Sequence, residues 1–307
     1  ARFFGKCEQA ARRKMCVGVF GPSQSGKSYL ISALARDSRG DLLADFCGRT
    51  SDFITEINPE GGKESTGLVT RFTTTPPQGL TPDFPIRLRL LSEMDVVRVL
   101  ANTYYADCEH KQMPDADAMR SALERLTQTA RQSSPGASNV TADDVEDLRE
   151  YLNRNFLSKP RVQMLQQGYW AQAVSLAPLL PLSYRAELFG IIWNNQPRFQ
   201  QLFLELCQAL EALGNPAEAD CPLEALLPRL TSIIDVALLA GLGTNSAEDR
   251  LTLLGKDGRK AALPRAVVTA LTAEITIFMR EPCRLDDRSA RRGEGRIQAA
   301  GAYDVER

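Results

Sequence analysis

A short segment near the start of the chain carries the residue types that bind nucleotide phosphates. Gly21 is followed, after four residues, by Gly26-Lys27-Ser28, which is the spacing of a phosphate-binding loop, or P-loop. Glycines let the backbone approach a polyphosphate closely and aim N–H groups at it. The lysine would reach the β- and γ-phosphates, and the serine hydroxyl would ligate a bridging Mg²⁺. We therefore expect GTP or ATP with Mg²⁺ as ligands. The expected phosphate-binding residues are Gly21, Ser23, Gln24, Ser25, Gly26, Lys27 and Ser28.

The elements on either side of this loop fit a phosphate site. Residues 15–20 are short, apolar and β-favouring, which predicts a core strand that ends at the loop. Residues 29–35 carry apolar side chains at helical spacing, so a helix should begin directly after the loop. Its N-terminal amides and dipole would add to the attraction for phosphate. The predicted unit is strand, loop, helix.

The next predicted strands follow a long connection. Residues 37–62 are mixed in pattern and read as irregular. Residues 68–75 are rich in β-branched side chains, and residues 84–91 alternate Ile86, Leu88 and Leu90 with arginines, so both predict strands, which we expect to pair as an antiparallel hairpin. In GTPase-like domains a threonine in the loop before such strands completes the magnesium shell. Thr66 is the candidate, beside Ser28, for a metal ligand; a loop threonine without any ligand role remains the alternative.

From residue 93 the pattern becomes helical and remains so to about residue 230. Strand signals return at 233–239 and 251–254, and a helix is predicted from Pro264 through about Met279. The predicted fold class is α/β, a P-loop NTPase-like sheet with a large all-helical insertion. The expected domains are 1–92, the N-terminal half of the P-loop domain; 93–230, the insertion; 231–283, the return to the P-loop domain; and 284–307, a weakly ordered tail.

Composition excludes several other classes of protein. The 307 residues carry a net charge of -1, so no basic excess indicates a nucleic-acid partner. The longest apolar segments are about half the roughly 20 residues that a transmembrane helix needs. Seven widely spaced cysteines and a single histidine favour reduced intracellular thiols over disulfides or a metal centre. We expect a cytoplasmic protein.

Three stretches together resemble a known family. They are Val-Gly-Val-Phe-Gly-Pro-Ser-Gln-Ser-Gly-Lys-Ser at 17–28 with the helix after it, Arg-Leu-Arg-Leu-Leu-Ser-Glu at 87–93, and Ala-Leu-Thr-Ala-Glu-Ile at 270–275. They are similar to the bacterial virulence factors of the SrfC family, and the likeness covers most of residues 1–283. The resemblance implies an N-terminal region like a dynamin-like or GTPase-like P-loop domain, with Thr66 close to the place of its second motif.

The chain departs from that family at the third GTPase motif. The family continues after the segment 270–279 into a strand that ends Asp-Phe-Pro-Gly, whereas this chain has Cys-Arg-Leu-Asp-Asp-Arg at 283–288, as a truncation or a frame change would give. The aspartate of that motif normally holds magnesium through water. Two Asp-x-x-Gly spacings, at Asp37 and Asp45, precede the predicted strand at 68–75 and are poor replacements. An Asn/Thr-Lys-x-Asp base-reading motif is also missing, so the base is not specified.

Two functions from different classes remain open. The first is binding of a nucleoside triphosphate, with weak or absent hydrolysis and therefore an uncertain status as an enzyme. The second is a nucleotide-independent interaction module or effector fragment, with a protein partner bound through the helical insertion. Aromatic residues at helical spacing in that region are more typical of a core than of a ligand groove.

Overall fold

The protein has a mixed α/β structure in which a six-stranded sheet shares one core with a group of helices. The computed structural model describes Ala11 and residues 16–21, 26–37, 40–59, 68–108, 115–132, 139–243 and 249–279. The predicted tail at 284–307 lies outside these residues.

The regular elements are numbered in chain order. Helices α1 to α9 are Lys27–Ala35, Glu93–Asp107, Ala116–Gln132, Ala142–Phe156, Pro160–Leu165, Tyr169–Leu176, Leu182–Gly190, Pro197–Ala212 and Arg265–Leu271. Strands β1 to β8 are Leu43–Phe46, Arg49–Asp52, Val69–Thr73, Ile86–Leu90, Glu218–Cys221, Arg250–Gly255, Lys260–Pro264 and Thr272–Phe278. A π-helical turn spans Phe53–Ile57, and 3₁₀ turns include Ile191–Trp193 and Val236–Gly241.

The main sheet has the strand order β3-β8-β4-β5-β6-β7. β3 and β8 are parallel, and the other neighbours are antiparallel. β4 alternates as predicted, with Ile86 and Leu88 buried and Arg89 exposed. The buried side chains join the core formed with α8 and α9, while the opposite face carries charges. An antiparallel sheet that faces solvent on one side has this alternation.

The predicted β3–β4 hairpin is wrong because β8 lies between the two strands. Leu88 of β4 lies opposite Ile275 of β8, and Phe72 of β3 lies opposite Ile277. The helix predicted from Pro264 to Met279 therefore ends at Leu271, where β8 begins. Ile275 and Ile277 are both fully buried, and β-branched side chains of this kind pack well in a central strand.

The segment 37–62, predicted to be irregular, contains a second, two-stranded sheet. β1 and β2 form an antiparallel hairpin whose two loop residues, Cys47 and Gly48, have φ of 56° and 100°. Two-residue hairpin loops favour positive φ at both positions, since their twist then matches that of the strands. Sequence analysis missed the turn because cysteine is not a usual residue at its first position. Phe53, after β2, packs edge-on against Phe72 of β3 at 4.8 Å.

Helices α2 to α8 follow β4 and precede β5, and β4 and β5 pair directly. Capping boxes start two of the helices: Ser92 with Asp95 at α2, and Thr141 with Asp144 at α4. Five of the six aromatic residues predicted to be core are buried: Tyr169, Trp170, Phe189, Trp193 and Phe203. The sixth, Phe199, is only partly buried and packs against the core.

A buried ion pair joins three of these helices. The guanidinium of Arg185 in α7, 1% exposed, donates to both carboxylate oxygens of Glu93 in α2, at 2.6 and 2.8 Å. It also reaches Glu211 of α8 at 3.3 Å. Burial raises the pKa of Glu93, and the contact with Arg185 offsets part of that rise.

Two predictions between residues 213 and 240 are also wrong. The interval 93–230, predicted to be all helical, contains β5, which belongs to the main sheet. Residues 233–239, predicted to be a strand, instead enter the 3₁₀ turn Val236–Gly241 after the buried Ile233 and Ile234. Residues that are both apolar and β-branched mark burial, and burial alone does not distinguish a strand from a short turn. The division into the four predicted domains stays a prediction.

Candidate functional site

The predicted phosphate-binding loop ends at a helix N-terminus. Gly26 is the N-cap residue of α1 and has a left-handed backbone, with φ of 79° and ψ of 16°. A side chain other than glycine would be strained in this conformation. α1 has no side-chain cap hydrogen bond and no acidic residue in its first turn. Its first turn thus differs from those of α2 and α4, where a carboxylate accepts from the backbone.

Lys27 lies across the loop. Its ammonium donates to the carbonyl oxygen of Gly21 at 2.9 Å, so the two ends of the loop are in contact. This contact holds the ammonium of Lys27 beside Gly21. An ammonium and the N-terminus of a helix are therefore close together.

The predicted strand before the loop is not formed. Residues 16–21 have no regular structure, and Val17 and Phe20 are 88% and 92% exposed. In α1, Tyr29 and Leu34 are also exposed, whereas Ile31 packs partly against the core. A strand is stable when neighbouring strands satisfy its backbone groups, and β8 takes the position beside both β3 and β4. The described residues thus contain the loop end and the helix of the predicted unit, without its strand.

Several predicted site residues lie outside the described part of the chain. They are Ser23, Gln24, Ser25 and Thr66, and for Ser28 only the backbone is described. Their roles as phosphate or magnesium ligands stay predictions.

The carboxylates weighed as replacements for the third motif have structural partners. Asp45 accepts from the backbone N–H of Gly48 at 2.9 Å and so closes the β1–β2 turn. Asp37 accepts from the N–H of Asp41 at 3.0 Å. Glu93, at the start of α2, is held by Arg185 inside the core. These contacts give each of the three side chains a structural role.

A pocket of about 650 Å³, which was not predicted from the sequence, lies beside strands β4, β5 and β8 of the main sheet. Its apolar lining includes Met94, Val140 and Leu210, and the N-terminal residues of α2 and α4 lie beside it. Arg71, Arg89 and Glu274 line it from the charged face of the sheet. The signal was present, since β3 and β4 each place an arginine at an alternating position. The wrong strand pairing hid their shared partner on β8.

The three charged residues are arranged on neighbouring strands. Glu274 of β8 lies directly opposite Arg89 of β4 and diagonal to Arg71 of β3. The carboxylate is 3.5 Å from Arg71 Nη1 and 4.0 Å from Arg89 Nε, and both distances exceed those of good hydrogen bonds. The side chains of Arg71 and Arg89 are 34% and 45% exposed, against 17% for Glu274.

The chain is a mixed α/β protein with a large helical part, and the sequence pattern of a phosphate-binding loop lies at the start of α1. A protein-family model described as putative bacterial virulence factor matches residues 3–287. The chain belongs to this family.

The other comparisons add no relative. No curated protein and no solved structure matches the chain. Within the described residues, the helices are all too short or too polar to cross a membrane.

Proposed function

We propose that this member of the virulence-factor family binds a nucleoside triphosphate through the loop from Gly21 to Ser28, with GTP as the first candidate and ATP as the second. The observation that carries the proposal is the contact of the Lys27 ammonium with Gly21 across the loop. It holds a cation beside the first turn of α1, where the backbone amides have no side-chain cap. A polyphosphate would satisfy these donors and the helix dipole together.

The residues fit the chemistry of a magnesium nucleotide. Lys27 would bind the β- and γ-phosphates, and Gly26 would allow the backbone to approach them because it carries no side chain. Mg²⁺ would neutralise phosphate charge, with Ser28 and Thr66 as its proposed protein ligands. These two assignments rest on the sequence pattern.

Hydrolysis should be weak or absent in this chain. Phosphoryl transfer needs a positioned magnesium ion and a positioned water molecule. The sequence has no Asp-x-x-Gly motif after β3, and Asp45 and Glu93 are held by structural partners. Removing one preorganised group typically lowers a rate by about two to three orders of magnitude.

An interaction module built on the helical region is the weaker proposal. The large apolar side chains exposed on the described surface of residues 93–230 are Val99, Leu157, Tyr184 and Leu230, each on a separate segment. Single exposed apolar residues are normal on soluble proteins and mark no interface. A protein partner for this region therefore has no specific support.

The test is a titration of the chain with fluorescent GTP and ATP analogues, with and without Mg²⁺. Lys27→Ala should weaken binding by about 30- to 150-fold, the effect of losing charge-assisted bonds worth about 2 to 3 kcal/mol. Lys256→Ala is the matched control, because Lys256 is a solvent-exposed lysine on the β6–β7 turn, paired with Glu218. Equal binding by wild type and Lys27→Ala would refute the proposal.

A further inference from the structure

The pocket beside the main sheet contains two arginines, Arg71 and Arg89, with more N–H donors than the nearby carboxylates bind. Arg71 and Arg89 together offer ten N–H donors. In the described part of the chain their only charged partner is Glu274, at 3.5 and 4.0 Å, and neither guanidinium makes a hydrogen bond. Two cations thus share one anion at distances that leave their donors available to a ligand.

The remaining carboxylates of the pocket are engaged elsewhere. Asp95 pairs with Arg98 at 2.8 Å and accepts from the backbone N–H of Ser92 at the start of α2. Asp144 accepts from the hydroxyl and the backbone N–H of Thr141.

The other two acids of the lining are also paired. Glu218 pairs with Lys256 at 2.7 Å, and Glu93 pairs with buried Arg185 at 2.6 Å. Arg71 and Arg89 are therefore the charged groups of the lining whose donors make no hydrogen bond within the described part of the chain.

We propose that this pocket binds an oxyanion, a phosphate or carboxylate group of a small ligand, between the guanidiniums of Arg71 and Arg89. The planar guanidinium matches both groups with two parallel hydrogen bonds. The volume of about 650 Å³ exceeds what one ion needs, and the apolar lining around Met94 and Leu210 would contact the body of the ligand. The proposal is independent of nucleotide binding at the P-loop.

Arginine-specific labelling tests the site residue by residue. The 307-residue chain carrying Lys27→Ala is treated with phenylglyoxal at low ionic strength, and modification is measured at each arginine by peptide mass spectrometry. Saturating pyrophosphate or citrate should slow modification of Arg71 and Arg89 by about fivefold or more, since a bound anion engages both guanidiniums. Arg120, exposed on α3 and paired with Asp117, should be unaffected.

Each pattern of protection decides the outcome. Protection by pyrophosphate alone identifies a phosphate site, and protection by citrate alone identifies a carboxylate site. Protection by both supports an oxyanion site of broad specificity. Equal modification with and without either anion would overturn the proposal, as would protection of Arg120 to the same extent.

Glu274→Gln separates a binding role from a purely structural one. Removing the shared carboxylate should tighten pyrophosphate binding by about fivefold in calorimetry, the effect of deleting one like charge about 4 Å away in a water-like medium. If the three residues only stabilise the sheet, the variant will bind no more tightly than its parent. Arg71→Ala with Arg89→Ala should weaken binding by about tenfold or more.

Discussion

The buried guanidinium of Arg185 should be the most costly single charge to remove from the helical region. It makes two bonds to Glu93, one of 2.7 Å to the carbonyl of Leu180, and one of 3.3 Å to Glu211. Arg185→Met would leave Glu93, which is only 7% exposed, without its cation. Breaking such a buried pair typically costs about 3 to 5 kcal/mol, because the remaining charge is desolvated and unpaired.

Urea unfolding followed by tryptophan fluorescence measures this cost, since Trp170 and Trp193 are both buried in the helical region. The control is Arg98→Met, which removes a half-exposed pair with Asp95 and should cost less than about 1 kcal/mol. The double variant Glu93→Leu/Arg185→Met should recover much of the loss, because no unpaired charge remains in the core. A cost for Arg185→Met no greater than for Arg98→Met would refute the reasoning.

The same variant should have a characteristic pH dependence. Burial already raises the pKa of Glu93, and loss of Arg185 removes the contact that offsets this rise. A carboxyl with a raised folded-state pKa contributes its full stability below the unfolded pKa, about 4.3, and loses it as pH rises through the folded value. The difference in unfolding free energy between wild type and Arg185→Met should therefore be largest near neutral pH and shrink in acid.

Three further predictions concern the cap of α4, the reactivity of two cysteines and the rate of nucleotide hydrolysis. Thr141→Ala removes the side-chain cap of α4 and should cost about 1 kcal/mol in urea unfolding; an unchanged midpoint would contradict the cap. Partial desolvation, with the negative charges of Asp45 and Asp220, raises the pKa of the Cys47 thiol, so its alkylation in the folded protein should increase only at pH above the usual thiol range. Cys207 is buried and should react only on unfolding; equal rates for the two would be inconsistent with the fold. Phosphate release with saturating Mg²⁺-GTP should remain near the intrinsic rate of an unassisted P-loop protein. Turnover near one per second that Lys27→Ala abolishes would contradict that prediction.

Local sequence signals predicted much of the secondary structure. Ser92 and Thr141 are of the residue types that cap helices, and α2 and α4 begin directly after them. The alternation of Ile86, Leu88 and Leu90 predicted both β4 and its buried face. These features depend on contacts within a few residues, so a short window of sequence contains them.

Strand pairing could not be predicted in the same way. β8 is separated from β3 and β4 by the whole helical region, and Val267, Leu271 and Ile275 continue one helical spacing from α9 into β8. The charged trio of Arg71, Arg89 and Glu274 depends on this pairing and was missed with it. The phosphate-loop pattern could be recognised in the sequence because such a loop requires glycine at fixed positions. The strand expected before it depended on partners that the pattern does not specify.

The central proposal is that the loop from Gly21 to Ser28 binds the phosphates of a nucleotide, and binding of Mg²⁺-GTP to wild type and Lys27→Ala tests it most directly. Calorimetry on both chains, with Lys256→Ala as control, should give saturable binding to wild type and to the control. The Lys27→Ala chain should bind about 30- to 150-fold more weakly. Binding of equal strength to all three chains, or to none, would contradict the proposal.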